Sequence, residues 1–232
     1  MIDIETLGID PGSIILTIGA IKFDPWADYW SKAQTGDMDE LDTFYKRVDT
    51  ESCADAGMVM QDTTVKWWSE QAPEVTAEAF AEENRKPLTE VMTDLYRWCS
   101  DGKYFWANGS YFDFPHLEHA CKAVGKGHRW SFWQVMDHRT IINLSGVKAP
   151  NKLKHHALYD CLNQIGEILV GSGVWKSEQL EIVSIGSVDM CAFGGVQVSG
   201  YVSGNPGVAR VYRPSTGYEY ATNLTFGLGT GT

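Results

Sequence analysis

The sequence predicts an α/β domain: a mixed sheet of three antiparallel strands followed by crossover strands, flanked by helices. Three observations predict it. The chain opens with three β-rich runs, residues 1–8, 13–24 and 42–48, separated by turn-forming and polar stretches. Segments with helical spacing of apolar residues then follow, interrupted by one short aromatic strand, which is the pattern of crossover connections. Near Val174 the helical periodicity stops, and ten of the 23 glycines fall in the last 59 residues. This sets the expected boundaries, a domain over residues 1–173 and a Gly-rich, β-prone C-terminal extension over 174–232 whose role the sequence leaves open.

The first run, Met1 to Gly8, reads as a short apolar strand. It is turned at Asp10-Pro11-Gly12 into the long run Ser13–Asp24. Residues 25–41 are polar, with Trp26 and Trp30, and read as a long hairpin loop before a third strand at Asp42–Val48. Residues 61–71 read as a short helix capped by Asp62 or Thr63, with Trp67 and Trp68 on its buried side. From Pro87 to Cys99, Leu88, Val91, Met92, Leu95, Trp98 and Cys99 recur at helical spacing. A short aromatic strand follows at Lys103–Asn108, then a helix at Phe112–Val124 and a short helix or turn at Val135–Leu144. A last helix runs from Lys154 to Val170 and is stopped by Gly171 and Gly173. Beyond it, Val196–Val202 and Val208–Tyr212 read as short strands, and the closing FGLGTGT as a mobile tail.

Composition narrows the function. No run reaches the roughly 18 apolar residues of a membrane span, and no basic-then-apolar leader opens the chain. Five scattered cysteines without CxxC spacing read as reduced core thiols. The expectation is a cytoplasmic protein, in a bacterium or a phage-infected host, with no membrane partner. A net charge of −11 argues against tight, charge-driven binding to long nucleic acid. It is compatible with an enzyme that holds a few nucleotides through metal ions, because there the carboxylates belong to the metals and the metals face the phosphates.

Candidate chemistry begins at Asp3 and Glu5. Two positions apart on a strand, they point to the same face, where like charges repel unless something positive lies between them. Taken alone, an Asp-x-Glu is usually a solvated strand face. Asp113 lies where the aromatic strand, ending at Asn108-Gly109, hands over to a helix. In open α/β sheets ligands collect at that end of a strand, but taken alone Asp113 reads more simply as an N-cap than as a ligand. His155-His156-Ala157-Leu158-Tyr159-Asp160 adds a histidine, an aspartate and a small residue that lets another element approach. Asp137-His138-Arg139-Thr140 reads more simply as a charged turn.

Together, Asp3-x-Glu5 on strand one, Asp113 at a helix start and His155-x-Ala157-x-x-Asp160 on a late helix resemble the DEDDh group of 3′–5′ exonucleases, which share the RNase H-like fold. Ile4-Glu5-Thr6-Leu7-Gly8, Trp67-Trp68 and Asp137-x-Arg139-Thr140 look most like its phage-type branch. The resemblance covers about residues 1–172.

That resemblance implies a two-metal site for Mg²⁺ or Mn²⁺, hard ions that prefer oxygen ligands. It implies that Asp3 bridges both ions, that Glu5 and Asp160 complete the site of the ion holding the attacking water, and that Asp113 binds the other ion through water. His155 is then the general base, a role suited to an imidazole near neutral pH. His156, adjacent, falls out of the family's register. Substrate contacts are expected from Thr6, Leu7, Gly8, Asn108 and Phe112, although the place of Phe112 at a helix start also suits a core residue. The basic clusters Lys122/Lys126/Arg129 and Lys148/Lys152/Lys154 could guide a phosphate backbone, although such a cluster is more often a solvated face.

The expected reaction is hydrolysis of single-stranded DNA from its 3′ end to nucleoside 5′-monophosphates. The alternatives are the same chemistry on RNA, as in short-RNA or tRNA-end trimming, and a non-catalytic nucleic-acid or polymerase-associated module. The extension permits docking onto a partner, and also a homodimer formed through an added strand.

Overall fold

The computed structural model describes residues 1–149 and 154–173, together with the backbones of strands within 181–222. The chain divides into two compact units, Met1–Val174 and Trp175–Thr232.

In the first unit, β1 (Ile2–Thr6), β2 (Ile15–Lys22) and β3 (Asp42–Val48) pair antiparallel in sequence order, and the two-residue β4 (Arg85–Lys86) joins β3 in parallel. The parallel pair β5 (Phe105–Ala107) and β6 (Val135–Asp137) forms a second small sheet, with β5 beside β1. The helices are α1 (Trp30–Thr35), α2 (Thr50–Asp55), α3 (Asp62–Ser69), α4 (Pro73–Ala79), α5 (Leu88–Trp98), α6 (Ser110–Ala123), α7 (His138–Ser145) and α8 (Ala157–Gly171).

Alternation along β1 sorts the molecule into layers. Ile2 and Ile4 join Leu16 and Ile18 of β2 in the core that α5 and α6 close with Leu88, Met92, Leu95 and Leu117. Asp3 and Glu5 face the other way, opposite Gly19 and Thr17 of β2 in the strand register. On that side α8 crosses β1 and β2, and Gly19 is what lets it come close. A Cβ on Gly19 would lie 2.4 Å from the Ala157 carbonyl carbon and 2.5 Å from the Leu158 nitrogen. Ala157 is itself fully buried. The first turn of α8 therefore lies directly over the strand that neighbours the two carboxylates.

Several expectations are corrected. Residues 25–41 are not a plain loop, because α1 forms there and docks on α8, with Ala33 buried against Gly166. The helices α2 and α4 were not expected at all. Val135–Asp137 is a strand rather than helix, drawn out by its pairing with β5, and the helix starts at His138. Asp62 and Thr63 do not cap α3; Gln61 holds the N-cap position without a side-chain cap bond, and its amide instead ties down the β1–β2 turn at Ile9 and Asp10. The last helix begins at Ala157, not Lys154, so His155 precedes it with a left-handed φ of 61°.

Described by itself, the second unit holds two antiparallel pairs, β7 (Glu181–Met190) with β8 (Val196–Ser203) and β9 (Ala209–Arg213) with β10 (Tyr218–Thr222). The closing FGLGTGT and Lys152 lie outside the described residues. Among the described residues no helix is long and apolar enough to cross a membrane.

Candidate active site

Three elements bring the four expected carboxylates to one cleft of about 450 Å³, Asp3 and Glu5 from β1, Asp113 from α6 and Asp160 from α8, and Glu167 of α8 lines it too. Donor atoms of Glu5, His155 and Asp160 all lie within 4.8 Å of one another. Each acid has a backbone reason to be there. The strand period turns Asp3 and Glu5 to the α8 side. Asp113 sits in the first turn of α6, whose N-cap is Gly109 and not Asp113, and its Oδ1 accepts from the Ile4 backbone N–H at 3.3 Å. The cap reading of Asp113 therefore falls, and its carboxylate points at β1. Asp160, in the first turn of α8, accepts from the His155 backbone N–H at 2.9 Å, which closes the turn ahead of the helix.

Burial and mutual repulsion dominate the electrostatics. Burial first, and then the Asp160 charge, pushes the Asp3 carboxyl up to about 8; a 3.0 Å bond from Gln164 Nε2 to Oδ1 works the other way. Glu5 is driven well above the usual carboxylate range by burial and then by Asp3, Asp160 and Asp113. Asp113 is raised by burial and then by Asp3, with the Ile4 N–H and the Arg139 charge opposing. An acid raised to about 8, as Asp3 is, holds its proton at neutral pH or releases it to a cation that takes its place, and Glu5 and Asp113 shift in the same direction. The donors are oxygens with one imidazole beside them, and no cysteine is among them, so the set fits a hard divalent ion such as Mg²⁺ or Mn²⁺.

His155 and His156 separate sharply. The His155 ring meets Trp67 edge-on at 5.0 Å and lines the cleft. His156 turns away to stack on Tyr45 at 5.0 Å, with its Nε2 3.7 Å from Glu78. On one helix these residues would differ only by rotation; the left-handed turn at His155 sends them to opposite sides.

A second cleft, of about 390 Å³, adjoins the first and shares Ile4, Glu5 and Phe112 with it. Its walls include Thr6, Gly8, Thr63, Thr64 and Trp67. Trp68 is buried and donates from Nε1 to the Thr6 carbonyl at 2.9 Å, whereas Trp67 is 39% exposed and forms a wall, contrary to the expected burial of both. Of the expected substrate contacts, Thr6, Gly8 and Phe112 line this cleft and Asn108 lines the larger one. Leu7 does neither and is part of the core.

Sequence reasoning missed three residues of the larger cleft. Gln164 lies one helical turn beyond Asp160, and that spacing was the available signal. Buried His138 faces Asn108 Oδ1 at 3.1 Å through Nδ1 and Glu167 Oε2 at 2.7 Å through Nε2. Glu167 also accepts from the Ala149 backbone N–H at 2.7 Å. The charged turn at 137–140 is thus part of the cleft wall.

A family model of the 3′–5′ exoribonuclease Rv2179c-like domain matches residues 1–170, and the mixed, helix-flanked sheet is that of an RNase H-like fold. No curated protein and no solved structure matches the chain.

Proposed function

The chain belongs to the 3′–5′ exoribonuclease Rv2179c-like family, and from that premise we propose that it is a metal-dependent exonuclease of DEDDh type that shortens single-stranded RNA from its 3′ end and releases nucleoside 5′-monophosphates. The observation that carries this reading is the convergence of Asp3, Glu5, Asp113 and Asp160 with His155 in one cleft. The sequence favoured DNA through its likeness to a phage-type branch. The family's description favours RNA, and we adopt that alternative.

Asp3, Glu5, Asp113 and Asp160 would hold the ions, Mg²⁺ or Mn²⁺. Such ions, when bound, supply positive charge to the phosphorus and to both the attacking and the leaving oxygen. The chain's own groups do the rest. His155 takes a proton from the attacking water, and its ring is held against Trp67. Its backbone N–H fixes Asp160, so the base and one ligand move as a unit. Gln164 holds one oxygen of Asp3 and leaves the other to the site. The second cleft, which meets the site at Glu5 and is otherwise lined by Thr hydroxyls, apolar groups and the Trp67 face, suits one terminal nucleoside: the ring stacks a base, and the hydroxyls pair with sugar oxygens.

Matched 5′-labelled RNA and DNA oligomers, incubated with Mg²⁺, Mn²⁺ or EDTA, test the reading. A ladder that shortens from the 3′ end, faster on RNA and absent with Asp3→Asn, is the expected result. Faster loss of DNA would return the substrate to the sequence's first expectation, and no ladder from folded protein would leave a non-catalytic module.

A further inference from the structure

Among the described residues, three cations line the cleft that holds Asp3, Glu5, Asp113 and Asp160: Arg139, Lys148 and Lys154. All three are exposed, and none forms an ion pair or side-chain hydrogen bond with another described residue. The acids around them have other partners. Asp113 takes the Ile4 N–H, Asp160 the His155 N–H, and Glu167 both His138 and the Ala149 N–H. In a chain of net charge −11, cations with no ion-pair partner among the described residues, beside clustered acids, suit an anion from outside.

Their placement is built rather than incidental. Arg139 is the second residue of α7, and its guanidinium lies where a side chain at 109 would be, 3.1 Å from the Cβ that Gly109 lacks. Asp137 Oδ1 accepts from both the Gly109 and the Arg139 backbone N–H groups, locking the two together. Lys148 precedes Ala149, which Glu167 holds, and Lys154 precedes His155, which Asp160 holds. None of the three borders the Trp67 cleft, so the described cations lie only on the larger cleft, which meets the Trp67 cleft at Glu5.

We propose that Arg139, Lys148 and Lys154 form a phosphate track that holds the single strand upstream of the nucleotide being removed. The proposal rests on the exonuclease reading: a terminal nucleoside in the Trp67 cleft puts the scissile phosphate at the carboxylates and the following phosphates on the cations. Such a track reads backbone charge and not base.

The test is anisotropy of a short 5′-fluorescein oligoribonucleotide bound to the full chain in EDTA, at a series of NaCl concentrations. Each phosphate neutralised on a single strand contributes about 0.7 to the slope of log Kd against log salt, so three cations give about 2. Arg139→Gln, Lys148→Gln and Lys154→Gln should each lower the slope by about 0.7, and the triple variant should flatten it. Arg139→Lys, Lys148→Arg and Lys154→Arg keep the charge and should keep the slope, which separates loss of charge from misfolding. Lys122→Gln with Lys126→Gln, on the C-terminal side of α6 and outside the cleft, should leave it unaltered. Three results overturn the track: a wild type with no salt-dependent binding, a triple variant with the wild-type slope, or equal flattening by the outside pair. The ladder in Mg²⁺ reports on the nuclease reading separately. A track without a ladder leaves a binding site, and a ladder without a track leaves a nuclease that holds its strand elsewhere.

Discussion

Two polar clusters lie on either side of the His155–His156 dipeptide, and they are built on opposite principles. Around His156 the charges are matched. Glu78 accepts from Tyr45 Oη at 2.6 Å and from Arg47 Nη2 at 2.6 Å, with His156 beside it. Around His155 they are not: Asp3, Glu5, Asp113 and Asp160 repel one another, and Arg139, Lys148 and Lys154 line the same cleft without forming an ion pair with any described residue. A fold gains from the first arrangement and loses from the second. Mismatch retained in a buried place is therefore the better sign of function, and the matched cluster serves to fix the chain on which the mismatched one depends.

The comparison can be broken in order of effect. Asp3→Asn should abolish hydrolysis in the ladder assay while leaving the thermal midpoint in EDTA equal to or above wild type, since it removes repulsion; a large loss of stability would show the acids to be structural. His155→Ala should lower kcat by about 10²–10⁴-fold. Gly19→Val should cost about 1–3 kcal/mol in denaturant unfolding, because α8 is forced off β2. Glu78→Ala should cost about 1–3 kcal/mol by leaving Arg47 and Tyr45 unpaired, with a smaller loss of activity than any change at the carboxylates.

Stability against pH sharpens the same contrast. The Asp3 carboxyl titrates near 8 in the folded chain and near 3.8 when unfolded. Between those values the folded state binds the extra proton, so metal-free stability should fall as pH rises from about 4 to about 8. Glu5 and Asp113 shift in the same direction and add to the slope. With Mg²⁺ present, ions replace protons and the slope should flatten or reverse. Thermal midpoints across that range, with and without Mg²⁺, decide it.

The carboxylates were legible because strand period and helix starts are local properties: Asp3-x-Glu5 and Asp113 fall where the pattern put them. What lay beyond the sequence was long-range. Nothing local marks Val135–Asp137 as a strand until β5 lies beside it. The helix α1 exists because α8 offers Gly166 to Ala33. Trp67 and Trp68 have the same propensity, and only the Thr6 carbonyl decides which is buried. His138, read as part of a turn, is buried because Asn108 and Glu167, far away in sequence, meet at its ring.

The backbone at His155 carries a final consequence. A non-glycine residue at φ 61° is held there at about 1–2 kcal/mol above the right-handed form. Glycine or asparagine would sit more comfortably, and neither would disturb the His156 anchor. Selection for stability alone therefore pulls this position away from histidine. On the proposed reading, His155→Asn should trade hydrolysis for stability, raising the thermal midpoint while the cleft still holds an RNA end.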